Sequence, residues 1–264
     1  MIRKFEHGQV YHPDREFVAE AADLGRPFKD VYVTSKDGVR LNAWFFSADE
    51  NSHYGHQVML ICHGNGGNLS HRLELCRELL KAGVNVMVFD YRGYGRSEGT
   101  PSEEGTYLDA QAMYHWLQEN GFASKNIIAF GESLGGGIAS ELAVRETVGG
   151  LVLQSTFTSI PAVGAELFPW LPIRWISSIK YNTLGKLPDI KVPVLVMHSR
   201  EDGLVRFLHA EKNFAAANEP KMFWETNGDH NYSLKSDHDR CTEGVKRFLL
   251  MVEAVQGQTT ELAK

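Results

Sequence analysis

Ile127-Ile128-Ala129-Phe130-Gly131-Glu132-Ser133-Leu134-Gly135-Gly136-Gly137 runs from an apolar stretch into a glycine-flanked serine and then into a helical pattern. The apolar stretch has the length and branching of a buried strand. Gly131-Glu132-Ser133-Leu134-Gly135 fits Gly-x-Ser-x-Gly, and that spacing has a physical cause. A strand that turns abruptly into a helix holds the serine in a strained backbone conformation, with its hydroxyl exposed at the turn. The residues two places to either side then approach one another, so they must lack side chains. The helix N-terminus beneath the serine carries partial positive charge, which favours an anionic intermediate. A glycine-rich turn with an incidental serine is the competing reading, and the strand before and helix after argue against it. Gly136 and Gly137 extend the run and would let the helix start pack closely on neighbouring strands.

Strand and helix patterns alternate on both sides of this stretch, the mark of a mostly parallel sheet covered by helices on both faces. Residues 29–34 and 41–46 read as a hairpin around Lys36-Asp37-Gly38. Residues 58–62, 84–89, 127–130, 151–154, 192–197 and 221–225 complete an expected eight-stranded sheet. Helices are expected from Leu69 to Leu80, ended by Gly83, and over 102–119, 133–146 and 206–217. Val245, Phe248, Leu249, Val252 and Val255 form the apolar stripe of a closing helix, and the polar residues 256–264 after it are expected to fray. The alternation breaks over about 157–188, which holds four of the nine prolines and two of the five tryptophans. The chain is read as one domain, 1–264, with this segment as a cap insert. The insert is short, so no large buried cavity is expected. Its stretch Phe168-Pro169-Trp170-Leu171-Pro172-Ile173-Arg174-Trp175-Ile176 is an acyl-chain pocket or a membrane-touching lip on the functional reading. The plainer reading, preferred for any single side chain, packs these groups on the core.

Bulk composition excludes several classes. Hydrophobic residues make up 43% and charged residues 23% of 264, near the globular average. The net charge of −6 is spread along the chain, so nucleic acid, which needs clustered Lys and Arg, is not an expected partner. Cys62, Cys76 and Cys241 form neither a disulfide framework nor a zinc pattern, and a reducing cytoplasm is the simpler setting. No signal peptide, integral membrane segment, cofactor site or metal site is read. His53 and His56 are close together without a third ligand near them in sequence.

Other candidate residues sit where strands end. His63-Gly64-Asn65-Gly66-Gly67-Asn68 follows a buried strand and offers backbone N–H donors. It lacks the Gly-x-Gly-x-x-Gly spacing and the Lys-Ser/Thr ending of phosphate-binding loops. His63 precedes the donor position and reads better as a brace for the loop than as a base. Glu201 and Asp202 follow the seventh strand, and residue pattern alone does not separate adjacent carboxylates. Asn227-Gly228-Asp229-His230-Asn231 follows the last strand, where a histidine can swing between an acid and a serine; a surface histidine is the alternative.

Asp90-Tyr91-Arg92-Gly93-Tyr94-Gly95-Arg96-Ser97-Glu98-Gly99, together with the serine motif, resembles the α/β-hydrolase superfamily. The His63–Asn68 loop, Gly131-Glu132-Ser133-Leu134-Gly135-Gly136, Ser155-Thr156-Phe157-Thr158-Ser159-Ile160 and Val39-Arg40-Leu41-Asn42-Ala43-Trp44-Phe45 resemble its Bem-type branch, which is related to protein depalmitoylases and prolyl oligopeptidase-like hydrolase domains. The resemblance implies an α/β-hydrolase fold and the chain order serine, acid, histidine. It implies Ser133 as nucleophile, His230 as base and Asp202, in preference to Glu201, as orienting acid. It implies oxyanion-hole donors at Asn65 and Leu134. Ser199 stands where the branch often has glycine, and Arg206 where it often has proline. The implied activity is hydrolysis of a small-molecule carboxylic ester or acyl thioester. The alternatives are a serine peptidase or amidase, and a binding module on a retired hydrolase fold.

Overall fold

Eight strands make the central sheet of the computed structural model, which describes residues 2–230 and 238–262. In chain order they are β1 (Phe28–Thr34), β2 (Arg40–Phe46), β3 (Val58–Cys62), β4 (Asn85–Phe89), β5 (Ile127–Glu132), β6 (Gly150–Gln154), β7 (Val194–Ser199) and β8 (Lys221–Thr226). Their spatial order is β8-β7-β6-β5-β3-β4-β2-β1. β2 runs antiparallel to both β1 and β4, and every other pair in this sheet is parallel. The hairpin turn closes through a Ser35 N–H bond to the Val39 carbonyl at 2.8 Å.

The helices are α1 (Ile2–Val10), α2 (Leu73–Lys81), α3 (Glu103–Glu119), α4 (Leu134–Arg145), α5 (Ile160–Leu167), α6 (Ile173–Ile176), α7 (Thr183–Lys186), α8 (Phe207–Ala216) and α9 (His238–Leu262). Successive side chains of a strand point to opposite faces, so each apolar strand feeds two cores. Leu60, Ala129 and Leu153 join Met113 of α3, Ile138 of α4 and Ala210 of α8 on one face. Their neighbours Met59, Ile128 and Val152 join Leu79 of α2 and Phe248 of α9 on the other. Side-chain caps start several helical runs; Ser102 accepts from the Gly105 N–H before α3, and Asn68 accepts from the Ser70 N–H before a short 3₁₀ turn, Leu69–Arg72, that leads into α2. The three cysteines are buried.

Two elements differ from expectation. α1 carries no clear cap or breaker signal in sequence and forms through contacts described below. The chain stays helical to Leu262 instead of fraying after Val255: although Gly257, Thr259 and Thr260 are poor helix formers, a helix already nucleated along the packed stripe extends at one hydrogen bond per residue. Among the described residues no helix is long and apolar enough to cross a membrane.

Phe248 is fully buried and its ring edge packs over Gly150, where an added Cβ would lie 2.8 Å from it. Replacing Phe248 by alanine should therefore cost about 3–5 kcal/mol, read as a lower urea midpoint at unchanged slope.

Candidate active site

Ser133 stands between β5 and α4 with φ 51° and ψ −113°, a left-handed backbone that a non-glycine residue adopts only when its surroundings impose it. The glycines on either side explain how. A Cβ on Gly131 would lie 2.4 Å from the Cα of Gly136, and one on Gly135 would lie 1.8 Å from the Cys62 carbonyl oxygen. The Ser133 N–H bonds to the Gln154 carbonyl at 2.9 Å, which ties the turn to β6.

The loops after β7 and β8 bring the other two groups to the serine. His230 Nε2 lies 3.0 Å from Ser133 Oγ, and His230 Nδ1 lies 2.7 Å from Asp202 Oδ2. With the ring proton on Nδ1 and donated to the carboxylate, the Nε2 lone pair faces the serine hydroxyl. Asp202 Oδ1 accepts the N–H groups of Leu204 and Val205 at 3.0 and 2.8 Å, so the carboxylate is held at both oxygens. Burial opposes its charge, but hydrogen bonds from His198 and His230, the His230 charge and the Val205 N–H hold its pKa well below the ordinary 3.8.

Glu201, the adjacent carboxylate, points elsewhere and accepts the Gly228 N–H at 2.8 Å. Asp229 returns the contact by accepting the Gly203 and His230 N–H groups at 3.1 and 2.7 Å. These reciprocal bonds stitch the acid loop to the histidine loop. Asn231 lies outside the described residues. His198 is fully buried and donates to the Val205 carbonyl, 2.7 Å away.

Asn65 and Leu134 line the same cavity as Ser133. Leu134 opens α4, so its N–H has no partner in a preceding turn and is available to an oxyanion. The Asn65 loop is held from several sides. Tyr94 Oη donates to the Asn65 carbonyl at 2.8 Å, Tyr91 Oη to the His63 carbonyl at 2.7 Å, and Arg72 Nη2 to the Gly66 carbonyl at 3.0 Å. A short parallel pairing of His12–Pro13 with Gly66–Gly67 adds the N-terminal segment to this support. His63 is fully buried with Nδ1 2.7 Å from the Gly64 carbonyl. Burial and the Arg72 charge push its pKa down to about 3, so it stays a neutral brace.

The cavity over Ser133 has a volume of about 600 Å³. Val163, Leu167 and Ile173 of the segment between β6 and β7 form one wall, and Phe5 and Val10 of α1 form another. The short insert led to the expectation of no large cavity; the structure has one because α1 supplies a second wall. Glu6 fastens α1 to the insert by accepting the Ser178 and Ile179 N–H groups at 2.9 and 3.1 Å and the hydroxyls of Ser177 and Ser178. The aromatic insert also departs from the core-packing expectation, because Trp170 is 74% and Trp175 89% exposed.

Sequence reasoning missed α1, the loop-holding Tyr91 and Tyr94, and the stitching role of Asp229. Phe5 and Gln9, four apart, were the one faint signal for the α1 wall, and the tyrosines lay in the Asp90–Gly99 motif without an assigned task. Elsewhere, among the described residues, Glu74, Glu78 and His238 bring possible metal-ligand atoms within 4.8 Å of one another. Glu78 is already bonded there by Lys81 and Thr242, both at 2.8 Å.

The family described as alpha/beta hydrolase fold matches residues 57–175. The chain is similar to the alpha/beta hydrolase domain-containing protein WAV2 of Arabidopsis thaliana, with 32% identity over 82% of this chain and 77% of that one. It is similar to protein bem46 of Schizosaccharomyces pombe, with 31% identity over 72% of this chain and 66% of that one. Among solved structures it is similar to the Pyrococcus furiosus esterase Pf2001, with TM-score 0.74 and 25% identity, covering 91% of this chain and 99% of that one.

The depressed pKa of Asp202 carries a sign that can be checked. A carboxyl whose folded pKa lies below its unfolded value stabilises the fold above the unfolded pKa, near 3.8, and loses that contribution as pH falls toward the folded value. The urea midpoint of the wild type should therefore drop more between pH 7 and pH 3 than that of the Asp202→Asn variant. Equal drops would contradict the assignment.

Proposed function

Because the chain belongs to the α/β-hydrolase family, we propose that it is a serine hydrolase that cleaves carboxylic esters or acyl thioesters through an acyl-enzyme on Ser133. The observation that carries this reading is the hydrogen-bonded row Ser133–His230–Asp202 opening into an apolar cavity. A hydroxyl is a poor nucleophile at its own pKa and needs a base within hydrogen-bond reach, which His230 supplies at 3.0 Å.

His230 takes the Ser133 proton as Oγ attacks the acyl carbonyl. The carbonyl oxygen becomes an alkoxide, and the N–H groups of Asn65 and Leu134 are its donors. Asp202 keeps the imidazole in the Nδ1–H tautomer and stabilises the imidazolium as it forms. His230 then gives its proton to the departing alcohol or thiol. Water, activated by the same base, cleaves the acyl-enzyme and restores the serine. The apolar walls suit an acyl chain, and the likeness to an esterase supports ester chemistry.

A fluorophosphonate probe at neutral pH should label the wild type and leave Ser133→Ala unlabelled; labelling that survives the substitution would overturn the nucleophile. With p-nitrophenyl esters of graded acyl length, Asp202→Asn should lower kcat by about 10⁴-fold, since the wrong tautomer would face the serine. Unchanged turnover in that folded variant would remove Asp202 from the mechanism.

A further inference from the structure

The cavity mouth carries an outer rim that the proposed chemistry does not use. Ile173 of α6 turns inward and packs against Gly164, where an added Cβ would meet its Cγ2 at 2.8 Å. Trp175, two residues on in the same short helix, faces solvent at 89% exposure. Trp170 is 74% exposed and sets its ring edge-on against Phe168, which itself lines the cavity. Neither tryptophan lines the cavity. Leu171 and Ile176, each next to one tryptophan in sequence, are exposed too, as is Phe5 of α1 across the cavity. Apolar side chains therefore line the cavity from beside the serine to its mouth, where the two exposed indoles extend them outward.

Charge follows the same ring. The chain is acidic overall, at −6, yet residues 168–181 hold Arg174 and Lys180 and no Asp or Glu. Arg3, exposed at the start of α1, adds a third positive group on the adjoining element. The acids that contact these elements point their oxygens inward to bonds: Glu6 to residues 177–179, Glu103 to the Lys180 and Tyr181 N–H groups at 2.7 and 2.6 Å, and Glu166 to His209 at 3.5 Å. Indoles among aliphatic side chains with basic residues interspersed suit the boundary of an anionic lipid layer, where the ring body sits among acyl chains and its N–H among headgroups. Exposed apolar groups gathered in one patch mark an interaction surface, whereas single ones need no explanation.

We infer that the Trp170–Ile176 tip, with the first turn of α1, seats this protein on an anionic phospholipid surface, so that the cavity mouth opens onto the layer and takes single-chain acyl substrates from it. The surface-binding half stands on the exposed rim; the acyl-substrate half rests on the serine-hydrolase reading above. Contact would be peripheral, with the sheet and the stitched loops remaining in water.

The test separates the two halves. The full chain is floated with vesicles of phosphatidylcholine containing one part in three phosphatidylglycerol, as wild type, as Ser133→Ala and as Trp170→Ser/Trp175→Ser. Wild type and Ser133→Ala should float equally, and the double variant should bind at least tenfold more weakly while hydrolysing the short soluble ester p-nitrophenyl butyrate at the wild-type rate. Brominated lipid should quench tryptophan emission in the wild type and lose most of that effect in the double variant. Two outcomes overturn the proposal. One is a double variant that floats as well as the wild type, or a wild type that does not float. The other is sedimentation showing a concentration-dependent dimer that the double substitution abolishes, which would make a second copy of the chain the occupant of this face. If wild-type protein floats but turns over no ester, the hydrolase reading fails and the surface assignment stands.

Discussion

At the turn between β5 and α4, Gly135 lies so close to the end of β3 that a methyl group on its Cα would fall 1.8 Å from the Cys62 carbonyl oxygen. That approach is what lets α4 start at once behind the sheet, with Ser133 at φ 51° on the crest. Every distance in the site is measured from this point. The Leu134 N–H, the Asn65 loop that follows Cys62, and the floor of the cavity all depend on two backbones meeting without side chains between them. A single methyl group would push α4 away from β3 and separate the two groups of N–H donors.

Around this rigid point the other participants are supplied by loops, and loops need support of their own. The acid and histidine loops leave neighbouring parallel strands, β7 and β8, so their starts are registered by the sheet. Beyond the strand ends, Glu201 and Asp229 take over by bonding each loop to the other's backbone. Carboxylates accepting backbone N–H groups are well suited to this, since charge-assisted bonds hold short loops more firmly than neutral ones. The Asn65 loop is held differently, by tyrosine hydroxyls from the segment after β4 and by the pairing with His12–Pro13. The serine is placed by covalent geometry and the remaining groups by hydrogen bonds between distant segments.

The cavity is assembled from the two least predictable parts of the chain. A short insert and an N-terminal helix meet through Glu6, and neither would enclose an acyl chain alone. The same junction leaves a rim of indoles and basic groups outside. Pocket, mouth and outer surface are thus built from one pair of elements, which connects how a substrate is held with where it would be met.

The order of strands and helices was legible because periodicity and turn chemistry act over a few residues: apolar runs such as 58–62, Gly38 at the hairpin, and glycines flanking Ser133 carry their reason locally. The strained turn at Ser133 was legible on the same ground. His230 was suggested by its place after the last strand, while Glu201 and Asp202 were inseparable by local pattern, since neighbours in sequence share every local signal. The family resemblance preferred Asp202, and the fold sets that carboxylate against an imidazole 28 residues away and turns Glu201 to Gly228. The α1 wall and the exposure of Trp170 and Trp175 were illegible for the same reason: an amphipathic or aromatic stretch states that apolar groups are present, not which surface they will face. Local sequence determined the elements and the strained turn at Ser133. The pairing of Asp202 with His230, the cavity's second wall and its outer rim depend on contacts between residues far apart in the chain, which exist only once the sheet has brought them together.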